Sequence, residues 1–270
     1  MNKIPQCPVC SCEKWKKFSR WDHPQEHRKF VKCSGCGHVY AADFSPMELD
    51  RAYQEDYYPS ADDPKIQQWI DANKDVWLDT VRDILQFRKE FRSILDYGAG
   101  TGGFLEQFDL LTGKTAEISA VENAVFAKEN LRNRFPHANI FSTLDECTKK
   151  DFDCIAVLQC FEHLDHPLQI CKDLRSRLKK GGVMIITVPN RYSLRTICKG
   201  RKDHLNAGHS THLQFFSHSG MRKMLKNAGF TQIYRVTNYP QKGSFLKRFL
   251  TWFLRKAELS SELRFICIAD

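Results

Sequence analysis

From residue 93 onward, short apolar segments alternate with helical ones, and this alternation limits the possible folds more than any other feature of the sequence. The candidate strands are 93–97, 118–122, 140–142, 152–158, 183–188, 230–239 and 263–269. Several are apolar at almost every position, which is typical of parallel strands that helices cover on both faces. The sequence therefore predicts an α/β fold built on a mostly parallel sheet.

Helices are predicted between these strands, around 104–108, through Leu131, over 168–178 and from Ser217 or Ser219 to Gly229. We expect Gly181 and Gly182 to cap helix 168–178, because glycine readily adopts the left-handed conformation that ends helices. Before the first strand, apolar residues recur at helical spacing over 66–85. They predict a helical segment, 59–92, that ends near residue 92 and bridges the main domain to the N-terminal region.

Two cysteine pairs stand near the N-terminus. Cys7 and Cys10 form one C-x-x-C, and Cys33 and Cys36 form another after the intervening segment 11–32. Each C-x-x-C loop turns both thiolates toward one point, so that together they offer four soft ligands to a tetrahedral ion, most commonly Zn²⁺. Four thiolates leave no open coordination position, and a module of about 40 residues buries too little apolar surface to fold unaided. The pattern therefore predicts a structural zinc ion.

The chain is accordingly divided into a zinc-ribbon-like module (1–58), the helical bridge (59–92) and the main domain (93–270). In the module, His38 is a further candidate ligand and Cys12 a bystander. The chain has 11 cysteines, and an odd number argues against a secreted disulfide framework. The sequence contains neither an apolar signal core nor an apolar run near the ~20 residues of a membrane span, so we expect a cytosolic protein.

Charge is unevenly distributed along the chain. The segment 171–270 contains 20 Lys and Arg against 5 Asp and Glu, whereas the segment 1–170 contains 21 and 27. A basic half favours an anionic partner, such as a phosphate-bearing substrate, nucleic acid or a membrane surface. A solvated basic surface without a partner is the alternative.

A glycine-rich turn, L-D-Y-G-A-G-T-G-G-F at 95–104, follows the first strand of the main domain. Gly98, Gly100 and Gly102 let the backbone pass close to a ligand where a Cβ atom would collide. Glu122 stands at the end of the next predicted strand. A carboxylate there can accept both hydroxyls of a ribose, so we expect a ribose-containing cofactor across the strand ends.

The same turn fits the G-x-G-x-x-G dinucleotide pattern through Gly98, Gly100 and Gly103, which is a weak motif by itself. Asp96 argues against a dinucleotide, because a carboxylate two residues before the first glycine would repel a diphosphate but suits a cationic ligand. Two strands, and no second nucleotide-binding half, are expected after Gly229.

Five segments follow one another in the main domain: I-L-D-Y-G-A-G-T-G-G-F, V-E-N, F-D-C-I-A-V-L-Q-C-F-E-H-L-D-H-P, L-K-K-G-G-V-M-I-I-T-V-P-N and H-L-Q-F-F-S-H-S-G-M-R-K-M-L-K-N-A-G-F. In this order they resemble class I S-adenosylmethionine-dependent methyltransferases, and the nearest group is the type 11 and type 23 methyltransferase domains. The resemblance covers about 94–270. The cysteine module is also similar to N-terminal regions of polysaccharide-related methyltransferases.

The resemblance implies a Rossmann-like seven-stranded sheet in the order 3-2-1-4-5-7-6, with the last strand antiparallel, and S-adenosyl-L-methionine as cofactor. The implied contacts are Asp96, Gly98, Gly100, Gly102 and Gln159 at the methionine end, Glu122 and Asn123 at the ribose, and Thr143 and Leu144 at the adenine. Tyr97 stands where the family commonly has small or apolar residues, and we expect it to pack against the sheet.

The chemistry of such a cofactor is an in-line displacement, to which a protein contributes alignment and the exclusion of water. An oxygen nucleophile of high pKa also needs a base. His163 and His212 are the candidates, with His209 as a third, because imidazole titrates near working pH. Each histidine could instead have a structural role. His209 and His212 could also share a metal ion, but the sequence offers no clear third ligand for it. Cys160 is expected to be a buried apolar thiol rather than a nucleophile.

An amphipathic helix is predicted near the C-terminus, within 243–257. Its apolar stripe consists of Phe245, Leu246, Phe249, Leu250, Phe253 and Leu254. The basic residues beside the stripe are Lys247, Arg248, Arg255 and Lys256. The helix either packs on the edge of the domain or lies on a membrane surface and brings the enzyme to a lipid-linked substrate.

The sequence leaves several functions open. The first is O-methylation of a small-molecule, sugar or glycan-type acceptor, with or without phosphate. The second is RNA methylation through the basic half, although no N-P-P-Y-type motif follows the fourth strand. The third is a non-catalytic binding module that kept the fold, against which Asp96, the glycine turn and Glu122 argue. A nicotinamide enzyme is a fourth, and the oligomeric state is not predicted.

Overall fold

The computed structural model describes residues 6–18, 29–44, 64–203, 211–238, 240 and 243–270. The strands are β1 (Trp15–Lys17), β2 (Phe30–Cys33), β3 (Val39–Ala41), β4 (Ser93–Tyr97), β5 (Glu117–Val121), β6 (Asn139–Phe141), β7 (Phe152–Leu158), β8 (Leu178–Pro189), β9 (Gln214–Phe215), β10 (Gln232–Arg235) and β11 (Glu262–Ile268). The helices are α1 (Pro64–Leu85), α2 (Gly103–Thr112), α3 (Val125–Arg134), α4 (Pro167–Ser176), α5 (Leu194–Lys199), α6 (His218–Asn227) and α7 (Phe245–Lys256), with 3₁₀ turns at Phe161–His163 and Gly200–Lys202.

The larger sheet contains seven strands of the described part, in the order β10-β11-β8-β7-β4-β5-β6. The five strands from β8 to β6 are parallel, and β11 pairs antiparallel with both β8 and β10. Numbered within the main domain, this order is 3-2-1-4-5-7-6. The predicted α/β Rossmann-like sheet, its strand order and its antiparallel last strand are confirmed.

Alternate residues of the strands face two cores, one on each side of the sheet. One core contains Ile94, Ala156, Ile185 and Ile266 together with side chains of α1 and α2. The other contains Leu95, Ile155, Ile186 and Phe265 together with side chains of α4 and α6. Because helices cover both faces, the central strands are apolar at most positions, and this is the pattern from which they were predicted.

The prediction that Gly181 and Gly182 cap a helix was wrong. Helix α4 ends at Ser176, and both glycines lie inside β8, which begins before them. The pairing of β7 with β8 is irregular in this region, and a Cβ on Gly182 would come within 2.8 Å of the carbonyl oxygen of Phe152. The glycine is therefore needed for close backbone approach at a strand irregularity.

Helix α1 packs across the start of α2. A Cβ on Gly103 would lie 2.3 Å from the ring of Trp77, so the indole rests directly on the glycine. Val81 and Ile84 of α1 are fully buried in the same core. The helix ends at Leu85 rather than near residue 92 as predicted.

The smaller sheet joins the N-terminal region to the main domain. Its order is β1-β2-β3-β9, and all three pairs are antiparallel. Strand β9 pairs Gln214 with Tyr40, and the amide of Ala41 donates a 2.8 Å hydrogen bond to the carbonyl of Leu213. The cysteine module is thus completed by a strand from the second half of the main domain. The division into 1–58, 59–92 and 93–270 stays a prediction.

Candidate functional site

The glycine turn follows β4 at the carboxyl edge of the parallel strands. Gly98 has φ 77°, and its amide donates a 2.8 Å hydrogen bond to the carbonyl of Val121. A Cβ on Gly98 would lie 2.7 Å from Sγ of Cys160, and one on Gly102 would lie 2.7 Å from the ring of Phe135. The turn therefore needs glycine both for its backbone conformation and because side chains of neighbouring segments press against it.

Two buried carboxyl groups flank this turn. Asp96 is 2% exposed, and burial, followed by the negative charge of Glu122, raises its pKa to about 8. Burial also raises the pKa of Glu122, although the amides of Gly100 and Ala124 donate to its Oε2 and Oε1 at 2.7 and 2.9 Å. In both residues the surroundings disfavour the ionised carboxylate. A cationic ligand at this edge would stabilise the ionised form.

The remaining predicted cofactor contacts lie after the ends of β5, β6 and β7. Asn123 and Thr143 are exposed, whereas Leu144 is buried. Gln159 is exposed with φ 52°, and its side-chain amide donates to Oε2 of Glu262 at 3.1 Å. Their positions are compatible with a cofactor laid across the strand ends, but their individual roles stay predictions.

The two candidate histidines lie side by side. The ring centroids of His163 and His212 are 4.8 Å apart, and both rings are buried. Glu162, which sequence reasoning did not single out, completes the group: its carboxylate and the two imidazoles each place one ligand atom within 4.8 Å of the others. The E-H pair in the sequence was the available signal. His209 lies outside the described residues.

Glu162 is a strongly buried acid. The residue is 1% exposed, and burial raises its pKa well above the usual range. Its Oε2 has no hydrogen-bond partner among the residues that the structure describes. A buried carboxyl in this state requires either a proton or a nearby cation.

The orientation of His163 follows from its contacts. Nδ1 lies 3.2 Å from the carbonyl oxygen of Thr211 and 3.1 Å from its hydroxyl. Because a carbonyl oxygen can only accept, we assign the hydrogen to Nδ1, which leaves the lone pair on Nε2. Nε2 lies 4.0 Å from Oε1 of Glu162, and the amide of Leu213 donates to the carbonyl of Glu162 at 2.7 Å. The 3₁₀ turn and the loop before β9 are thus held together.

Cys160 lies between the glycine turn and this cluster. Burial raises the pKa of its thiol well above the usual value, and the charges of Glu162, Glu122 and Asp96 act in the same direction. A thiol that stays protonated at neutral pH is a poor nucleophile. The expectation of an inert, apolar thiol is therefore supported.

The four cysteine sulfurs of the N-terminal module form a second cluster. Sγ of Cys7 lies 3.6 Å from Sγ of Cys36, and Sγ of Cys10 lies 3.6 Å from Sγ of Cys33. A tetrahedral ion with bonds of about 2.3 Å places sulfurs about 3.8 Å apart, so the set fits Zn²⁺. The amide of Gly35 also points to Sγ of Cys33 at 3.3 Å, as expected next to a thiolate.

The other two residues considered for the metal have different contacts. His38 is fully buried, and its Nε2 lies 2.9 Å from Oε1 of Gln214 in β9. Sγ of Cys12 lies 3.6 Å from the carbonyl of Lys14, outside the group of four. His38 therefore connects the module to the loop that carries His212, and it is not one of the four clustered ligands.

A family model described as a methyltransferase domain matches residues 66–234, more than half of the chain. None of the curated proteins matches the sequence. Among solved structures, a SAM-dependent methyltransferase from Thermotoga maritima has a TM-score of 0.53 at 18% identity, over 76% of this chain and 95% of that chain. A SAM-dependent methyltransferase from Archaeoglobus fulgidus has a TM-score of 0.52 at 17% identity, over 72% and 94%.

The plantazolicin methyltransferase BpumL, in complex with a desmethyl plantazolicin analogue and SAH, has a TM-score of 0.56 at 19% identity, over 83% of this chain and 97% of that chain. At these identities the likeness to solved structures shows the fold, while the family model shows the family. The chain therefore belongs to the methyltransferase-domain family of type 23 and is a class I methyltransferase, as its five ordered segments predicted.

Proposed function

We propose that the protein uses S-adenosylmethionine to methylate an oxygen of a small-molecule, sugar or glycan-type acceptor. The observation that carries the cofactor assignment is the pair of buried carboxyls, Asp96 and Glu122, at the glycine turn. When bound, S-adenosylmethionine supplies a methyl group on a positively charged sulfur. A buried carboxyl with a raised pKa is the group that gains most from a neighbouring cation.

The two carboxyls are proposed to have different tasks. Asp96 would balance the positive charge at the methionine end, beside Gly98, Gly100, Gly102 and Gln159. Glu122, whose two oxygens are already oriented by backbone amides, would accept hydroxyls of the ribose. Asn123, Thr143 and Leu144 would complete the ribose and adenine contacts, and BpumL, which has the same fold, is seen with SAH.

On the acceptor side, we assign the preparation of the nucleophile to His163 and His212. The lone pair on Nε2 of His163 points toward Glu162, in a group that the 3₁₀ turn and the loop before β9 hold in place. The segment carrying Glu162 starts at Cys160, whose sulfur contacts the glycine turn. A base at this position would be close to the reacting atoms, and the surrounding buried side chains would exclude water.

The cofactor assignment is tested by calorimetric titration of the protein with S-adenosylmethionine and with SAH. We expect both to bind, and the Asp96→Asn variant to lose more affinity for the cationic cofactor than for the neutral product. Absence of heat and of a thermal shift with both compounds would favour the non-catalytic module instead. Binding of NAD in their place would favour a nicotinamide enzyme.

The acceptor class is tested with cofactor labelled in the methyl group. Separate fractions of phosphorylated sugars, glycans and RNA serve as acceptors, and alkali-stable label in the sugar or glycan fraction is expected. Filter binding of RNA across a salt series gives the comparison, because phosphate contacts weaken steeply with salt. Label confined to RNA would contradict the proposed acceptor.

We also propose that α7, within 243–257, contacts the surface of an anionic membrane. None of its residues is buried, and Phe245 and Leu246 are 76% and 73% exposed. Among the described residues, no helix has the length and hydropathy needed to cross a bilayer. An exposed apolar face beside Lys247 and Lys256 instead fits a helix that lies in the plane of anionic headgroups.

A second exposed helix adjoins the first. The amide of Leu194, at the start of α5, donates a 2.9 Å hydrogen bond to the carbonyl of Leu259, three residues after α7 ends. Leu194 and Ile197 are exposed, and Lys199 is exposed beside them. Two adjoining helices that expose both apolar and basic side chains favour lipid over RNA, because RNA would gain little from bare leucine and phenylalanine.

Vesicle flotation tests this surface. We expect the protein to float with vesicles of mixed neutral and anionic lipid at low salt, and not with neutral vesicles. Leu246→Ser with Phe249→Ser should abolish flotation, while Leu110→Ser should not, because Leu110 is also exposed but lies on α2. No flotation at low salt would remove the proposal, and RNA binding lost in the same double variant would redirect it to nucleic acid.

We assign a structural Zn²⁺ to Cys7, Cys10, Cys33 and Cys36. The sulfur separations support it. The proposed cytosolic location is compatible with a thiolate site, because thiols stay reduced there. Metal analysis of the purified protein should find zinc that is lost when Cys10 and Cys33 are replaced by serine.

A further inference from the structure

Glu162, His163 and His212 form a group of metal-ligating side chains apart from the cysteines. We propose that this group binds one divalent first-row transition-metal ion at the acceptor side of the methyl-transfer site. The inference deepens the proposed function and depends on it for the ion's part in the reaction. Binding of the ion itself can be measured independently of cofactor and acceptor.

The three candidate ligand atoms lie slightly farther apart than they would around a bound ion. The three ligand atoms lie within 4.8 Å of one another, and Oε1 of Glu162 is 4.0 Å from Nε2 of His163. An ion that binds nitrogen and oxygen at about 2.1 Å in tetrahedral geometry brings such atoms to about 3.4 Å. Small side-chain rotations would suffice to close the set.

The carboxylate provides an independent reason for a cation. Glu162 is nine-tenths or more buried, and its Oε2 accepts no hydrogen bond from the described residues. Its other oxygen faces His163. A buried polar atom without a partner is costly, and a bound cation would remove that cost.

The histidine contacts match the arrangement usual for metal ligands. Nδ1 of His163 bonds the carbonyl of Thr211, so that Nε2 presents its lone pair to the cluster. A ligating imidazole commonly donates its other ring hydrogen to a backbone carbonyl in this way, which fixes both the tautomer and the ring orientation. The loop that supplies this carbonyl also carries His212.

Two imidazoles and one carboxylate suit Zn²⁺, Mn²⁺ and Fe²⁺, whereas soft ions such as Cu⁺ prefer thiolates. Three protein ligands leave at least one coordination position for an acceptor oxygen. An ion there would lower the pKa of an acceptor hydroxyl, so the hydroxyl would lose its proton more easily. Because the lone pairs of His163 and His212 would then be engaged by the ion, both imidazoles would prepare the nucleophile by holding the ion, and the hydroxyl proton would pass to solvent water.

The test is a titration of the full-length protein with Mn²⁺, in which the unbound ion is followed by electron paramagnetic resonance. Mn²⁺ is chosen because it disfavours thiolates, so the cysteine site can stay loaded with zinc. We expect one Mn²⁺ per chain. Glu162→Gln and His212→Gln should each weaken binding on the order of 100-fold or more.

His166→Gln is the matched control, because His166 is 78% exposed beside Asp165 in the same segment and should bind no ion on its own. Its variant should retain wild-type affinity. Glu162→Gln preserves side-chain shape and removes a buried charge, so a thermal melt should show a folded protein. Should it fail to fold, the wild-type titration and His212→Gln still decide the matter.

Two results would overturn the inference: a wild-type protein that binds neither Mn²⁺ nor any Zn²⁺ beyond the cysteine site, or a folded Glu162→Gln variant that binds Mn²⁺ as tightly as the wild type. A parallel titration with S-adenosylmethionine separates this inference from the proposed function. Cofactor binding without metal binding would overturn the metal site alone, and metal binding without cofactor binding would overturn the proposed function alone.

Discussion

The backbone amide of Gly100 donates a 2.7 Å hydrogen bond to Oε2 of Glu122, which joins the glycine turn after β4 to the end of β5. The other carboxylate oxygen accepts from the amide of Ala124 at 2.9 Å. Two backbone donors thus orient the carboxylate before any ligand binds. Such preorganisation lowers the entropic cost of binding a ligand that uses the same group.

Replacing Glu122 by glutamine should weaken cofactor binding. One carboxylate oxygen becomes an NH₂ group that cannot accept from a backbone amide, so either Gly100 or Ala124 loses its partner. We expect the affinities for S-adenosylmethionine and for SAH to fall together, by about 10- to 100-fold, since both contain the ribose. Calorimetry provides the measurement. Glu129→Gln, an exposed glutamate on α3, is the control, and equal affinity in both variants would refute the ribose contact.

Asp96→Asn should stabilise the ligand-free protein while impairing its function. The pKa of Asp96 is raised from 3.8 to about 8, so the folded protein holds this proton more tightly than the unfolded chain. The free energy of unfolding therefore falls as pH rises through this window, by about 1.4 kcal/mol per pH unit. The stabilisation by asparagine should be small near pH 4 and largest above pH 8, as thermal melts across pH would show.

The same raised pKa predicts a pH dependence of cofactor binding. A cation binds the ionised form of Asp96, so wild-type affinity for S-adenosylmethionine should increase with pH and level off above about 8. Calorimetry at several pH values, repeated with Asp96→Asn, tests this. An identical pH profile in the two proteins would show that Asp96 does not face the sulfonium.

Gly98→Ala should abolish cofactor binding through a collision as well as through strain. A Cβ there would lie 2.7 Å from Sγ of Cys160, whereas Gly113 has almost the same φ, 76°, with nothing within 4 Å. Gly113→Ala therefore measures strain alone, about 1–2 kcal/mol. Urea unfolding should show a larger loss for Gly98→Ala, partly recovered when Cys160 is also changed to alanine. Equal losses for the two glycines would contradict this account.

The cysteine module should influence turnover more than cofactor affinity. Gln214 connects it to the acceptor side, because its side chain contacts His38 and donates to the carbonyl of Leu164 at 2.8 Å. With an identified acceptor, Gln214→Ala should lower kcat on the order of 10-fold or more and leave the Kd for S-adenosylmethionine nearly unchanged. Asn227→Ala, which breaks a different module contact, the hydrogen bond to the carbonyl of Val9, should affect stability only.

A buried ion pair links α1 to the sheet and should be essential for stability. Arg264 bonds Asp83 at 2.6 Å, and each side chain is 4% exposed. Asp83→Ala removes one of two carboxylates that pair with the buried guanidinium, while Glu262 at 2.9 Å remains, and should cost up to about 3 kcal/mol in urea unfolding. Asp79→Ala, which breaks a more exposed pair with Arg82, should cost less than about 1 kcal/mol. If the two variants lost similar free energies of unfolding, the pair between Arg264 and Asp83 would contribute no more to stability than the exposed pair.

Regular elements of the main domain were predictable because local pattern and final environment agree. Strand 152–158 is found with the predicted bounds, since helices cover both faces and most positions favour apolar residues. Gly181 and Gly182 were misassigned because glycines after a helix normally signal its end. Their role inside β8 depends on the irregular pairing of β7 with β8. That pairing is a tertiary contact, which a local sequence pattern does not reveal.

The site was predictable where its residues belong to one local motif. Asp96, the glycines and Glu122 lie near one another as the βα pattern requires. The association of Glu162 and His163 with His212 was not predictable, because it depends on a loop distant in sequence that is held by the hydrogen bond from Leu213 to Glu162. Strand β9 has two residues and no pattern of its own, so its pairing with β3 also lay beyond sequence reasoning.

The shared small sheet makes the N-terminal module and the distant segment that carries β9 depend on each other in evolution as well as in folding. Removal of the cysteine-rich segment would uncover the hydrogen-bonding edge of Gln214–Phe215 and invite self-association through it. An exchange of N-terminal segments between homologous enzymes would have to carry residues 211–216 along, since those residues complete its sheet. Selection would therefore act on the cysteines and on this distant loop as a single unit.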